Sequence, residues 1–227
     1  MLTSQLNRSI LELTSQLTRP RPKEQGPIVN HHRINRLWQS ATLFLAPLLL
    51  VLLIWLRPSM GMYQWLLWLH LPLLMLHEAE EYVLAPTSFK EFFNLNSPLG
   101  SRNDPDFPLD EGYVFQVNIL IAWPMVILGA LLATVAPWVG FAMIWFELII
   151  NNAMHTVGFQ GEKPSYNPGL VTNSFLLLPY GMWVLLTATG FFTPLDWLLS
   201  ALLGVGIAAV LGLKTRGRLA QLRPVQA

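Results

Sequence analysis

The stretch that decides the fold is Met62–Leu84, MYQWLLWLHLPLLMLHEAEEYVL. From Met62 to Leu76 it holds no Asp, Glu, Lys or Arg, and it then continues into His77-Glu78-Ala79-Glu80-Glu81. About 20 apolar helical residues span a hydrocarbon core roughly 30 Å thick. The stretch therefore predicts a transmembrane helix that ends in one imidazole and three carboxylates, groups that are costly beside lipid unless they have partners or a function.

The composition of the whole chain indicates an integral membrane protein. Of 227 residues, 53% are hydrophobic and 12% are charged, which is about half the charged share of a soluble domain, and the mean hydropathy is +0.44. From Gly112 to Gly161, Glu147 is the one charged residue. This composition excludes a disordered chain, a disulfide-stapled secreted domain and a nucleic-acid binder. The chain has no cysteine, which also excludes thiolate metal ligands and thiol catalysis.

Apolar stretches of membrane-spanning length recur along the chain, separated by segments with Pro, Gly or polar residues. We predict an all-α fold, a polytopic transmembrane helix bundle of about six spans. The predicted spans are Leu37–Leu56, Met62–Leu84, Tyr113–Val135, Trp138–Gly158, Leu170–Gly190 and Trp197–Leu213.

The positive charges predict the orientation in the membrane. In a six-span arrangement, 13 of the 14 Lys and Arg residues fall on one side, and Arg57 falls on the other. Because cytoplasmic loops carry the excess of Lys and Arg, both termini are expected in the cytoplasm. The predicted organisation is a cytoplasmic N-terminal segment 1–36, a six-helix transmembrane domain 37–213 and a basic cytoplasmic tail 214–227. In 1–36, an apolar stripe at helical spacing favours either an amphipathic helix on the membrane surface or a frayed tail.

The end of the second predicted helix carries a candidate metal site. At about 100° per residue, His77, Glu80 and Glu81 fall within an arc of about 100°, so that one helix face offers a ring nitrogen and carboxylate oxygens. His70, two turns earlier, falls in the same arc. Diiron carboxylate bundles use a related spacing of Glu and His. Glu78 points away from the arc, and we expect it to face headgroups or solvent.

The fourth predicted helix carries a second group of polar residues. Glu147, Asn151 and His155 are spaced i, i+4 and i+8 and form one stripe, and an ionisable group within a membrane span indicates a function by default. In the predicted topology, the second and fourth helices run in the same direction. Their polar ends therefore share the cytoplasmic side with the segment Tyr166-Asn167-Pro168-Gly169-Leu170-Val171-Thr172.

Taken in order, these motifs resemble a known family. His77-x-x-Glu80-Glu81, Asn151-x-x-x-His155 and the segment from Tyr166 to Thr172 are similar to the ordered motifs of the HXXEE-domain membrane proteins, over residues 67–186. The resemblance implies a multi-spanning, mostly bacterial membrane protein, expected in the inner (cytoplasmic) membrane, and it implies no general activity. Carried over residue by residue, it highlights His77, Glu80, Glu81, Asn151, His155, Pro168, Gly169 and Thr172.

The pattern favours a membrane-embedded metalloenzyme. The predicted ligands of a divalent metal ion are His77, Glu80, Glu81 and His155. The predicted catalytic residues are Glu80, Glu147 and Asn151, and Glu147 or His70 would be a further ligand or would support one. Ligation without thiolate suits zinc, iron or manganese. Zinc would serve hydrolysis and iron oxidation, and the expected substrate is lipid-like or apolar because the site lies at headgroup depth.

Two other hypotheses stay open. A proton-coupled small-molecule carrier would use Glu147 and His155 as a relay, with Pro72, Pro124 and Pro179 interrupting helices near a binding site. A non-catalytic assembly or partner protein would use the same polar groups as a structural network between helices. Membrane lipid is the expected surrounding in each case, no nucleic-acid partner is expected, and protein partners are not predicted.

Overall fold

A computed structural model describes residues 30–159 and 166–221. Within these ranges every regular element is helical, which confirms the all-α prediction. The helices belong to a compact unit that begins at His31. The apolar stripe of segment 1–36 and the last residues of the predicted basic tail lie outside the described residues.

Seven helices follow one another in the described residues. They are α1 (His31–Leu56), α2 (Met62–Ala79, continued by Glu80–Leu84), α3 (Phe89–Asn96), α4 (Glu111–Phe115, Gln116–Ala122 and Trp123–Leu131), α5 (Pro137–Trp145, Phe146–Asn151 and Met154–Gly158), α6 (Leu170–Thr172, Asn173–Leu177 and Leu178–Ala188) and α7 (Pro194–Ala220). Each of the six longer helices overlaps one of the six predicted spans. The short helix α3 is an addition within the second loop, α1 begins six residues before its predicted span, and α7 continues into the predicted tail.

The helices have the length and surface of a membrane protein. Among the described residues, four helices are long and apolar enough to cross a membrane, namely His31–Ser59, Glu111–Leu131, Leu170–Ala188 and Pro194–Ala220. Helices α2 and α5 are of similar length, but their imidazole, carboxylate and amide groups make them less apolar. Large apolar side chains such as Phe44 and Phe175 are exposed on the outside of the bundle, where lipid removes the cost that water would impose. The chain is an all-α polytopic membrane protein, and the count of six spans stays a prediction.

Helix α2 lies at the centre of the bundle and packs against α1, α4 and α6, while α5 packs against α4 and α7. The Tyr180 hydroxyl on α6 donates to the Leu66 carbonyl on α2 at 2.9 Å. Helices α4 and α5 approach closely at two glycines, because a Cβ added to Gly129 would lie 2.4 Å from the Gly140 Cα. These contacts place the ends of α2 and α5, where the polar residues are, beside each other.

The start of α1 and the end of α7 lie at the end of the bundle that carries the polar residues of α2 and α5, which we call the site end. The Asn35 side chain near the start of α1 donates to Glu111 at the start of α4 at 2.6 Å. Arg218 near the end of α7 forms an ion pair with Asp110, which precedes α4. Asn35 and Arg218 therefore lie at the same end of the bundle, as the prediction of six spans requires.

Several helices widen into π-helical turns towards the site end. The π-helical segments are Glu80–Leu84, Gln116–Ala122, Phe146–Asn151, Met154–Gly158 and Asn173–Leu177. Pro124 and Pro179 each follow such a segment by two residues. Because a proline lacks an N–H and crowds the carbonyl four residues before it, the preceding turn opens. Turns of this kind occur frequently at functional sites, and here they carry most of the predicted site residues.

Candidate metal centre

Three buried side chains from α2 and α5 converge at the site end. His77, Glu81 and His155 each offer one ligand atom, and these atoms lie within 4.8 Å of one another. Glu81 Oε1 is 3.5 Å from His77 Nε2 and 3.4 Å from His155 Nε2. The two imidazole rings stand edge to face with centroids 5.1 Å apart. Of the four ligands predicted from the sequence, the fold brings these three together.

The hydrogen bonds of His77 leave its Nε2 as an acceptor. The Thr172 hydroxyl lies 2.6 Å from Glu80 Oε2, to which it donates its proton. Thr172 Oγ1 therefore accepts from His77 Nδ1 at 2.8 Å, and we assign the ring proton to Nδ1. The Asn151 amide donates to His77 Nε2 at 3.2 Å, which agrees with this tautomer. A bound ion would take the lone pair that Asn151 now approaches.

His155 is held in the same tautomer by a different partner. The Asn167 amide donates to the His155 carbonyl at 3.0 Å, so its oxygen faces the ring and accepts from Nδ1 at 2.8 Å. His155 Nε2 is completely buried and has no hydrogen-bond partner among the described residues. A buried polar atom without a partner calls for an explanation, and a bound ion is one of the usual ones.

A loop covers this group on one side. Gly169 has φ +91°, and a Cβ placed on it would lie 2.7 Å from Cε1 of both His77 and His155 and 3.1 Å from Glu81 Cγ. An L residue would therefore be strained in backbone and would collide with both rings. The loop that carries Gly169 also provides Asn167 and leads into α6, so the same few residues orient His155 and close the site.

Glu80 points to the N-terminus of α6 and away from the three converging ligands. Its carboxylate accepts hydrogen bonds from the backbone N–H groups of Val171 and Thr172, at 3.1 and 2.6 Å, and from the Thr172 and Tyr166 hydroxyls. A carboxylate at this position satisfies backbone donors of the helix and is favoured by its dipole. Burial and the adjacent Glu80 raise the pKa of Tyr166 to about 12, so Tyr166 remains a donor.

Glu147 and Asn151 extend the polar group into the bundle. The Asn151 amide donates to Glu147 Oε2 at 2.8 Å as well as to His77. Glu147 Oε1 lies 3.8 Å from His70 Nε2, which is buried and has no hydrogen-bond partner in the described parts of the chain. Two of the three predicted catalytic residues, Glu147 and Asn151, therefore belong to a chain of contacts from His70 to His77. The contact between His77 and Asn151 is also what a structural network would contain.

The expectation that Glu78 faces headgroups or solvent is wrong. Glu78 has 0% exposure, and both of its carboxylate oxygens accept from Trp123 Nε1, at 3.0 and 2.8 Å. The helical projection failed because it measured direction relative to His77 alone. Helix α2 is surrounded by other helices, so a side chain that points away from His77 still meets α4.

Two of the three ligands, His77 and Glu81, line a cavity of about 520 Å³ between α2, α3, α4, α5 and α7. Its walls are mainly apolar, with Phe89, Phe93 and Phe146 among the aromatic residues. One wall is polar and is formed by His77, Glu78, Glu81, Tyr82, Asn118, Glu147 and Asn151. A largely apolar cavity with a few converging polar groups is the usual form of a small-molecule site.

Two buried nitrogen atoms and one carboxylate oxygen fit a divalent ion of the zinc, iron or manganese type. In metal sites a ligating imidazole usually donates its other N–H to an oxygen, which fixes the tautomer. His77 and His155 both satisfy this condition through Thr172 and Asn167. The buried His/Glu/His group could therefore hold a metal ion.

Sequence reasoning missed Asn167 and the carboxylate–indole pair of Glu78 and Trp123. Asn167 lies in the segment that carries the resemblance, but nothing in its spacing connects it with His155, twelve residues earlier. The partners of Glu78 and His155 depend on how helices and loops meet, and no local period contains that information. A signal was present for Glu78 alone, since a carboxylate within an apolar segment requires a partner.

The helical bundle and the buried site together define an integral membrane protein with a histidine–glutamate cluster at one end. The profile of a family described as "Protein of unknown function with HXXEE motif" matches residues 68–184, which is 117 of the 227 residues. The chain belongs to this family, as the motifs of His77, Glu80 and Glu81 had indicated. No curated protein and no solved structure matches the chain.

Proposed function

We propose that this protein is a metal-dependent membrane enzyme whose ion is held by His77, Glu81 and His155. The observation that carries the proposal is the buried His155 Nε2, which has its lone pair directed towards Glu81 and no hydrogen-bond partner among the described residues. A second imidazole, in the same tautomer, lies beside it. An ion held by the two imidazoles and Glu81 would satisfy this nitrogen, whereas in a purely structural network His155 would need a second ring proton to pair with Glu81.

In such an enzyme, the predicted site residues would act as metal ligands, as residues that position the ligands, and as a base. When bound, the ion would supply Lewis acidity at the cavity wall. Glu80 would position His77 through Thr172, because its four hydrogen bonds leave it little capacity for ligation. Glu147, held by Asn151 and lining the cavity, would accept a proton from the reacting group. The donor set suits hydrolysis with zinc and oxidation with iron, and manganese fits it equally.

The expected substrate is lipid-like or apolar. The loop at Gly169 packs directly on both imidazoles, while Glu81 and His77 line the mainly apolar cavity. A reacting group would therefore reach the ion from the cavity. The excess of Lys and Arg on the predicted cytoplasmic side supports a site at the cytoplasmic face, and the mostly bacterial family supports the bacterial inner membrane.

Metal analysis of protein purified in detergent without chelators tests the proposal. We expect about one equivalent of a single transition metal in the wild type and little in His155→Ala and Glu81→Gln. His32→Ala serves as the matched control, because His32 is exposed at α1 and belongs to no cluster of ligands among the described residues. Absence of metal from a folded, never-chelated wild type would refute the proposal, and so would full metal content in His155→Ala.

A proton-coupled carrier is a second candidate, favoured by one specific observation. His70, Glu147, Asn151 and His77 follow one another in a line of contacts through the bundle. Side chains of this kind form proton relays in transporters. The carrier hypothesis expects uptake into vesicles that depends on a pH gradient and disappears in Glu147→Gln. Uptake that persists in this variant would exclude Glu147 as a relay.

A further inference from the structure

The cavity beside the proposed metal centre offers no unpaired charge to a ligand. No Lys or Arg lines it within the part of the chain that the structure describes. Its three carboxylates already have partners, Glu78 in Trp123, Glu81 in two imidazoles and Glu147 in Asn151. A charged head group would therefore lose its hydration in the cavity without finding a free counter-charge. The lining favours an uncharged ligand.

Asn118 on α4 has an accepting oxygen that no donor in the described residues uses. Its amide nitrogen donates to the Val114 carbonyl at 3.0 Å, and this bond fixes which end of the amide is the nitrogen. The same nitrogen donates to the Tyr82 hydroxyl at 3.4 Å. The amide oxygen is left without a partner there, although Asn118 is only 9% exposed and lines the cavity. Buried side chains rarely leave such an oxygen unused.

Tyr82, in the wall of the same cavity, supplies the complementary donor. Its hydroxyl oxygen accepts from Asn118, and its own proton has no acceptor in the described parts of the chain. The ring is held edge to face against Trp38, with centroids 5.8 Å apart. An unused donor therefore lies beside an unused acceptor. A ligand hydroxyl satisfies both, because it can accept from Tyr82 while it donates to Asn118.

The position of this pair suits the head of a single-chain molecule. Tyr82 lines both the apolar cavity and a polar pocket of about 390 Å³ at the site end, to which Arg36 and Lys90 also contribute. The cavity lining follows α7 from Thr215 back to Val205, about 15 Å of helix at a rise of about 1.5 Å per residue. A polar boundary at one end and an extended apolar wall match a polar head with an alkyl chain.

We propose that the cavity binds a long-chain primary alcohol, with its hydroxyl between Tyr82 and Asn118 and its alkyl chain along α7. That this alcohol is the substrate or product of an enzyme rests on the proposed function. Its binding does not, because neither residue is among the three proposed metal ligands. The site discriminates by head group. A methyl ether accepts from Tyr82 but has no proton for Asn118, and a carboxylate brings a charge that nothing balances.

Photolabelling in vesicles of a zwitterionic phospholipid tests this proposal. The probes are a dodecanol with a diazirine at the chain end and the matched methyl ether and carboxylic acid, at equal mole fraction and at a pH that ionises the acid. We expect the alcohol to label cavity-lining residues of α7 such as Val205 and Ala208 about fivefold more than the ether, as one neutral hydrogen bond implies. The acid should label them least. Equal labelling by alcohol and ether, or stronger labelling by the acid, would overturn the inference.

Three variants locate the head group. Asn118→Leu removes the acceptor and should abolish the preference for the alcohol over the ether. Tyr82→Phe removes the donor and should lower labelling by both probes. Tyr113→Phe is the matched control, because Tyr113 lines the cavity but its hydroxyl is already bonded to Thr215 at 2.8 Å, so the preference should persist. A preference that survives in Asn118→Leu would contradict the assignment, and the wild-type comparison decides even where a variant does not fold.

Metal analysis of the same samples separates this inference from the proposed function. Tyr82→Phe and Asn118→Leu should keep the metal content of the wild type. A wild type that prefers the alcohol but contains no metal would refute the metal centre and leave the alcohol site standing. A metal-containing wild type with no preference for the alcohol would refute the alcohol site alone.

Discussion

Gly169 is the residue at which the candidate centre tolerates least change. Its positive φ is strained for any L side chain, and the space that a Cβ would need is taken by both imidazoles. We predict that Gly169→Ala displaces His77 or His155 and lowers metal content several-fold or more. Metal analysis and thermal unfolding in detergent measure the two effects.

Gly206→Ala provides the control for this prediction. A Cβ at Gly206, on α7, meets nothing within 4 Å, and alanine replaces glycine favourably within a helix by about 0.5–1 kcal/mol. This variant should keep its metal and unfold at the same or a slightly higher temperature. Wild-type metal content in Gly169→Ala would show that the loop does not press on the ligands as described.

Thr172 connects the carboxylate of Glu80 with the imidazole of His77, because its hydroxyl donates to Glu80 and accepts from His77. Thr172→Val keeps the shape of the side chain and removes both hydrogen bonds. Since partners that orient metal ligands typically contribute about 10–100-fold in affinity, we expect metal binding to weaken by roughly that factor. Competition with chelators of known affinity measures the change.

The same substitution elsewhere on α6 serves as the comparison. Thr187 is half-buried, and its hydroxyl donates to the Trp183 carbonyl on its own helix, so Thr187→Val should bind metal as the wild type does. Equal affinity in Thr172→Val and Thr187→Val would mean that the tautomer of His77 is fixed by something other than Thr172.

At the scale of helices, the sequence predicted the positions of the long helices well and their partners poorly. Length and apolarity determine where a membrane helix lies, so each of the six predicted spans overlaps one long helix of the described residues. The i, i+4 pair of Glu147 and Asn151 also depends on local geometry, and their hydrogen bond is present. The sequence also grouped Glu80 with His77, and both side chains contact the Thr172 hydroxyl on α6. The backbone N–H groups at the start of α6 that also bind Glu80 could not be predicted, because no local period contains that contact.

Asp110 joins two helices at the site end. It caps α4 by accepting from the Tyr113 N–H at 2.8 Å, and it pairs with Arg218 on α7. Partial burial alone would raise the pKa of Asp110, but the hydrogen bonds from Arg218 and from the backbone outweigh it and hold the pKa below its ordinary value. The ionised carboxylate therefore stabilises the fold at neutral pH.

We predict a pH-dependent loss of stability in Asp110→Asn. Asparagine still caps the helix, so the loss at pH 7 is that of a half-exposed ion pair, below about 1 kcal/mol. Because the folded-state pKa is depressed, this difference from the wild type is fully present above the ordinary carboxyl pKa and should shrink as the pH falls below that pKa and through the folded-state pKa. Unfolding in detergent across this range measures it, with Asp104→Asn as an exposed control. A constant difference down to pH 3 would contradict the assignment.

At the scale of the whole molecule, charge is scarce and collected at one end. The bundle surface is apolar, and the residues with metal-binding or acid–base chemistry lie buried towards the ends of α2 and α5, beside a cavity that reaches α7. Single sequence patterns could indicate these residues one helix at a time. They could not show that the cavity exists, since its walls come from five separate helices.

The predicted orientation of the site end can be tested because the chain has no cysteine, so each introduced cysteine is a unique label. Asn103, in the loop between α3 and α4, and Ser59, after α1, are both exposed and lie at opposite ends of the bundle. Since the excess of Lys and Arg marks the cytoplasmic side, we expect a membrane-impermeant maleimide to label Ser59→Cys in intact spheroplasts of the expressing bacterium. Asn103→Cys should react only after permeabilisation.

The two label positions also test whether α2 crosses the membrane, because it lies between them in the chain. The cysteine-free parent controls for background, and a permeant maleimide should label both variants. Labelling of Asn103→Cys from outside, with Ser59→Cys protected, would reverse the orientation and move the proposed centre to the opposite face. Labelling of both from outside would refute a full crossing by α2, and with it the even number of spans.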